Sequence, residues 1–258
     1  MITDRILIFL PLTLRIIVSS SVIWLLLNRK IKFPHAIKLT CIATALNRLF
    51  LTGSGYVAMS GKLKINGLSL YKSLSSFAIL ELFSIIPWII LGLYFGTKIA
   101  IRIPLFLIAL FVLVLTFAIY KRKDTINFLR NALAYLKEIR TNILMVTPLV
   151  LINVIIGIIY YFFLFRAFGF TFDFFEILRI ISVAFTIGYL SPAPAGLGFK
   201  EGGLVFLLMQ QNLSFSNACS IAIADRIITT GFYFVLGFLF GAEMIKNEIK
   251  RKLKVSRS

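Results

Sequence analysis

The chain has 258 residues, of which 59% are hydrophobic and 15% charged, with a mean hydropathy of +0.95. Soluble globular domains sit nearer half apolar and a quarter charged, so the composition excludes the soluble-enzyme classes. Twenty-eight Lys and Arg against ten Asp and Glu give a net charge of +18. That charge does not signal nucleic acid, because the apolar runs approach the ~20 residues that cross a hydrocarbon core, and the basic tail has no aromatics to stack on bases. The sequence reads as a polytopic membrane protein.

Residues 5–27 form a first predicted span, with Pro11 and Arg15 inside it. Arg15 interrupts the apolar run, and no small-residue cleavage site precedes Asn28-Arg29-Lys30, so a retained helix is expected rather than a signal peptide. A basic group follows at Arg29, Lys30, Lys32 and Lys38. Residues 36–61 run apolar and then break at Thr52-Gly53-Ser54-Gly55, and a second basic pair lies at Lys62 and Lys64. Residues 69–95 are a span carrying Glu81 and Pro87, and 103–120 are another after the turn 97–102. Residues 121–142 are polar but place Ile126, Leu129, Leu133, Leu136 and Ile139 at helical spacing. An interfacial amphipathic linker is expected there. Residues 143–166 are a clear span, 176–212 break at residues 191–198, and 214–242 form the last span before a basic tail.

Irregular backbone at membrane depth survives only when buried in protein or lining a wet cavity. Two such breaks suggest a repeat. Residues 68–92 lie over 213–237 without a gap, at a displacement of 145. Ser75 falls on Ser220, Leu91-Gly92 on Leu236-Gly237, and Glu81 on Arg226. If each broken region is a re-entrant pair of half-helices, the spans alternate so that all the basic clusters face the cytoplasm, as the positive-inside rule requires. The expected fold class is therefore an all-α polytopic helical bundle with an inverted-topology repeat, a plan shared by many secondary transporters. Residues 1–120 would be the first repeat, 121–142 the linker, 143–245 the second repeat and 246–258 a cytoplasmic tail. The alternative, in which 176–190 cross completely before a re-entrant loop, would put the tail outside.

A charge at mid-membrane is costly and needs a reason. The charges so placed are Arg15, Arg48, Glu81, Lys200, Glu201, Asp225 and Arg226. Mutual pairing explains some of them. One net positive charge remains, which suits a bound anion such as phosphate. The strongest local signal is Pro192-Ala193-Pro194-Ala195-Gly196-Leu197-Gly198-Phe199-Lys200-Glu201. Its prolines end one half-helix, Gly196 and Gly198 permit positive φ, and a second half-helix starts at Phe199 with its N-terminus in the membrane. Such an end attracts an anionic head group. Lys200 adds charge, and Glu201 can cap the helix or hold a cation. Cys41 and Cys219 read as packing residues, and the single histidine, His35, has no companions for a metal site or dyad. No cofactor or metal is expected.

At this motif the chain resembles the lysylphosphatidylglycerol-synthase transmembrane family. The resemblance rests on Pro-x-Pro-x-Gly-Leu-Gly-x-x-Glu at 192–201 with Arg226 25 residues after Glu201, and it extends loosely over nearly the whole chain. Ala195 stands where the family usually has a second Gly, Thr52-Gly53-Ser54-Gly55 replaces a Pro-Gly and Gly-Glu pattern, and Leu82 stands where an Arg often follows the acidic residue. The resemblance implies a lipid flippase-like transporter in the cell membrane, comprising the membrane part only and no aminoacyl-transferase domain. The implied lipid or anion site comprises Pro192, Pro194, Gly196, Gly198, Lys200, Glu201, Asp225, Arg226, Glu81 and Arg48. Expected partners are membrane lipid and anionic inner-leaflet lipids at the basic loops, with no nucleic acid and with homo-oligomerisation left open. The rival expectations are a membrane-embedded transferase, or an accessory subunit of a glycosyltransferase, acting on a polyprenyl-phosphate lipid.

Overall fold

The computed structural model describes residues 6–50, 53–65, 69–96, 135, 140–191 and 193–255, and among these the chain is all-α with no strand. Eight helices follow in order: α1 (Phe9–Leu26), α2 (Phe33–Leu49), α3 (Ser54–Ile65), α4 (Leu70–Gly96), α5 (Arg140–Ala167), α6 (Phe174–Leu190), α7 (Phe199–Met209) and α8 (Phe215–Val255). A 3-10 turn at Pro194–Gly196 joins α6 to α7. Among the described residues, four segments are long and apolar enough to cross a bilayer: Phe9–Leu26, Leu70–Gly96, Asn142–Ala167 and Phe215–Lys246. The protein is an integral membrane helical bundle. The expected span 103–120, the turn 97–102 and nearly all of the linker 121–142 lie outside the described residues.

Local chemistry sets the helix ends. Pro34 sits in the first turn of α2, where its missing N–H would have had no helical acceptor. Asp173 and Glu176 form a reciprocal capping box at the start of α6. The Asp173 carboxylate accepts the Glu176 N–H at 2.7 Å, and the Glu176 carboxylate accepts the Asp173 N–H at 3.0 Å. The last span reaches Lys246, close to the expected 242, and its helix α8 continues to Val255. Nothing after Gly241 breaks a helix, and the Lys, Arg and Glu of the tail are good helix formers.

Both breaks fall at the expected glycines, but their arms are unequal. Helices α2 and α6 have 17 residues each, whereas α3 has 12 and α7 has 11. At 1.5 Å per residue the longer arms reach about 26 Å and the shorter about 17 Å. The expected pairs of half-helices are therefore a long helix followed by a short one, because each break falls late in its apolar run.

Helix packing is reciprocal. α1 packs most extensively on α5, α2 on α8, and α4 on α6, while each break folds its own arms together, α2 on α3 and α6 on α7. One buried cluster gathers Leu164, Phe165, Ile180, Ile181, Leu207 and Ile221 from α5–α8. A second gathers Ile23, Leu26, Leu39, Leu63, Phe77 and Val146, mostly from α1–α4. The outer face of α4 exposes Leu82, Ile86, Ile90 and Leu93 at helical spacing, a stripe suited to hydrocarbon. Glycine brings the long helices close. A Cβ added at Gly92 would stand 2.0 Å from Thr186 Oγ1 and 2.7 Å from the Ser182 carbonyl oxygen of α6. One added at Gly237 would stand 2.4 Å from Ala45 Cβ of α2. These are the two glycines that the 145-residue alignment superposes.

Candidate functional site: a charged cavity between the helix breaks

The second break is a left-handed turn. Ala195, Gly196 and Gly198 have φ of 51°, 66° and 81°. Gly196 is doubly required, since a Cβ there would meet the Gly188 carbonyl oxygen of α6 at 2.8 Å. A Cβ at Gly198 would meet nothing within 4 Å. A side chain would therefore intrude at Gly196 alone, and at Gly198 only the backbone asks for glycine. Ala195 occupies the left-handed region at the position where the resembled family carries glycine. Pro194 opens the 3-10 turn, and Pro192 lies outside the described residues.

Glu201 performs both roles expected of it. One carboxylate oxygen accepts the Gly198 N–H at 2.8 Å and the other pairs with Arg226 at 3.3 Å. A carboxylate of the chain itself thus meets the N-terminus of α7, which had been expected to face an external anion. Arg226 also donates to the Ala195 carbonyl at 3.3 Å, fastening α8 to the turn.

Asp225, one residue earlier, points the other way and is fully buried. It accepts from Lys200 Nζ at 2.6 Å and from the Tyr160 and Tyr161 hydroxyls at 3.0 and 3.1 Å. Adjacent helical residues cannot share a face, so one turn of α8 serves two separate ion pairs with α7.

The first break is capped by an amide. Asn47 Oδ1 accepts the N–H groups of Gly53 at 3.1 Å and Gly55 at 2.8 Å. Gly55 lies so close to α2 that a Cβ would stand 2.1 Å from the Ala43 carbonyl oxygen. The next residue, Tyr56, donates its hydroxyl to Glu81 at 2.5 Å.

The displacement of 145 relates these details. It carries Gly53, at φ 94°, onto Gly198, at φ 81°. It carries Tyr56 onto Glu201 and Glu81 onto Arg226, so the Tyr56–Glu81 hydrogen bond overlies the Glu201–Arg226 ion pair. Each contact ties the short arm of a break to the span that follows. Glu81 and Arg226 thus occupy matching places and take their partners within their own halves.

Between the breaks lies a cavity of about 540 Å³ to which all eight helices contribute. Five of its lining residues are Arg, Lys or Glu: Arg15, Arg48, Glu81, Lys200 and Arg226. Gly196 lines it as well. Of the remaining sequence-predicted site residues, Asp225 and Glu201 stand behind the wall as partners of Lys200 and Arg226, and Gly198 lies off the cavity. Sequence reasoning left Arg15 out of the site. Its Nε donates to Asn153 Oδ1 at 3.0 Å. Arg48 donates to Thr229 Oγ1 at 3.0 Å, with its guanidinium 4.7 Å from the centroid of the Tyr233 ring. Asn47, Tyr56, Tyr160 and Tyr161 were also missed. The sequence carries no local signal for them, since an isolated Asn or Tyr in an apolar helix acquires its role only from a partner far along the chain.

No curated protein and no solved structure was found to be similar to this chain. A family model, that of the lysylphosphatidylglycerol synthase TM region, matches residues 5–237. That match covers the α1–α7 helices, both breaks, the cavity and most of the membrane part of α8, and so the chain belongs to the lysylphosphatidylglycerol synthase transmembrane-region family.

Proposed function

We propose that the protein is a lipid translocase-like transporter that admits the anionic head group of a phospholipid or polyprenyl phosphate into this cavity. The observation that carries the reading is the cavity wall itself, where four cations and one carboxylate are held at membrane depth between two helix breaks. With Asp225 and Glu201 counted behind the wall, four positive charges meet three negative ones. An anion from outside the chain offsets the remainder. Family membership supports a lipid-related membrane role. The apolar stripe on α4 gives acyl chains a surface to rest on while the head group is inside.

The reciprocal packing of α2 on α8 and α4 on α6, together with the 145-residue correspondence of the two polar contacts, supports an inverted repeat over 1–120 and 143–245. Rocking one repeat against the other then gives alternating access around a fixed site. The reading is non-enzymatic, with membrane lipid as the partner, anionic inner-leaflet lipids along the basic segments, no nucleic acid, and the cell membrane as location. The test is the purified chain in vesicles containing a trace of head-group-labelled phosphatidylglycerol, exposed to an impermeant quencher. Transport is expected to make label in both leaflets accessible. Quenching limited to the outer-leaflet share, as in protein-free vesicles, would overturn the reading.

A further inference from the structure

We infer that Arg15 and Arg48 form a phosphate subsite on the α1–α2 side of the cavity, seating a singly charged phosphodiester, and that Lys200 and Arg226 do not supply it. The inference rests on the head-group reading above and deepens it.

Four cations line the cavity, but two are already answered. Lys200 Nζ is 2.6 Å from Asp225, and Arg226 is 3.3 Å from Glu201. Arg15 and Arg48 have no carboxylate within ion-pair distance among the described residues, and their partners are the neutral Asn153, Thr229 and Tyr233. A guanidinium presents five N–H donors in a planar fork, and the bonds described occupy one on each. The free donors are the kind that bind phosphate oxygens in pairs.

Arg15, Arg48, the Glu81 carboxyl and the Tyr189 hydroxyl all line the same cavity. Glu81 offsets one of the two positive charges. A phosphodiester, with one charge, therefore matches the region better than a dianionic monoester. The subsite is also not duplicated. Before the breaks the helices correspond at a displacement of 141, α2 (33–49) on α6 (174–190), which carries Arg48 onto Tyr189 and Arg15 onto Ile156, so the unanswered charge belongs to one half of the molecule.

The experiment uses the full purified chain, delipidated and then offered phosphatidylglycerol, phosphatidic acid or an uncharged galactosyl diacylglycerol, with retained lipid read by native mass spectrometry. Wild type is expected to prefer phosphatidylglycerol. Arg15→Gln and Arg48→Gln are each expected to lower the ratio of phosphatidylglycerol to galactolipid about tenfold, the scale of losing a charged hydrogen bond, with Arg226→Gln changing that ratio less. If a Gln variant does not yield monodisperse protein, Arg15→Lys and Arg48→Lys take its place. They keep the charge but lose the fork, and a reduced ratio is again expected. Displacement of phosphatidylglycerol by dimethyl phosphate, a free singly charged diester, in wild type would support the same subsite with the free anion as occupant. A preserved ratio in both arginine variants, with wild-type preference intact, would overturn the subsite while leaving the head-group reading standing. A stronger preference for phosphatidic acid would overturn the singly charged assignment. Equal retention of phosphatidylglycerol and galactolipid by wild type would remove the head-group reading and the subsite with it.

Discussion

Asp225 has no exposed surface and gathers three donors around one carboxylate, so its neighbours depend on each other strongly. Lys200→Met would leave that carboxylate with two phenol donors and no counter-charge. Breaking a buried pair from one side costs about 3–5 kcal/mol, whereas replacing both partners is far milder. Thermal unfolding in detergent is expected to show a large loss for Lys200→Met and partial recovery in Lys200→Met/Asp225→Asn. A double variant as unstable as the sum of its singles would refute the pairing. The left-handed turn gives a second graded expectation. Gly198→Ala meets only the left-handed backbone penalty of about 1–2 kcal/mol. Gly196→Ala adds the 2.8 Å approach to the Gly188 carbonyl and is expected to melt lower. Ala195→Gly removes the same penalty and adds the entropy of a glycine, about 0.5–1 kcal/mol, so it is expected to be neutral to slightly stabilising. At this scale the sequence disclosed the charged residues and the glycines but not their partners. Glu201 announced itself by its place in the first turn of α7. Tyr56 and Asn47 did not, because their roles depend on Glu81, 25 residues away, and on two N–H groups freed by the break.

Elements were more legible than contacts. The spans containing α1, α4 and α5 lie within a few residues of their expected ends, because an apolar run of membrane length carries its own signal. The start of α6 was written in Asp173-x-x-Glu176 and went unread, since the expected segment began at 176. The last span, expected to end at 242, reaches Lys246, and the helix runs on to Val255 because hydropathy falls there while helix propensity does not. What brings α4 to α6 and α8 to α2 is lack of volume rather than hydrophobicity. Gly92→Ala would force a methyl to 2.0 Å from Thr186 Oγ1 and is expected to cost about 1–3 kcal/mol, the range for overpacking. At the matching contact the obstacle is the Ala45 methyl, 2.4 Å from a Cβ at Gly237. Ala45→Gly is therefore expected to rescue Gly237→Ala, as read by melting temperature. Independent, additive losses in that double variant would show that the two helices do not meet there.

At the scale of the whole molecule, the two halves share a scaffold but differ in charge. The polar contact that is Tyr56–Glu81 in one half is Glu201–Arg226 in the other, while Lys200–Asp225 has Gly55 and Leu80 in the matching places. If the two halves are the inverted repeat proposed above, the basic segments of both end on one side of the membrane. Arg29, Lys30 and Lys32 precede α2 with Lys38 in its second turn, and the Lys246–Arg257 group continues along and beyond α8, so the loop between α5 and α6 would lie on the opposite face. Thr171, exposed in that loop, and Val255, at the end of α8, are placed to test this. Cys41 is buried and Cys219 half-buried, so a Cys219→Ser background leaves little native labelling. In intact cells an impermeant thiol reagent is expected to label Thr171→Cys and to spare Val255→Cys until the membrane is permeabilised. Labelling of Val255→Cys from outside would mean that α6 makes a complete crossing of its own. The two halves would then run parallel, and the correspondence of their polar contacts would need an explanation other than an inverted repeat.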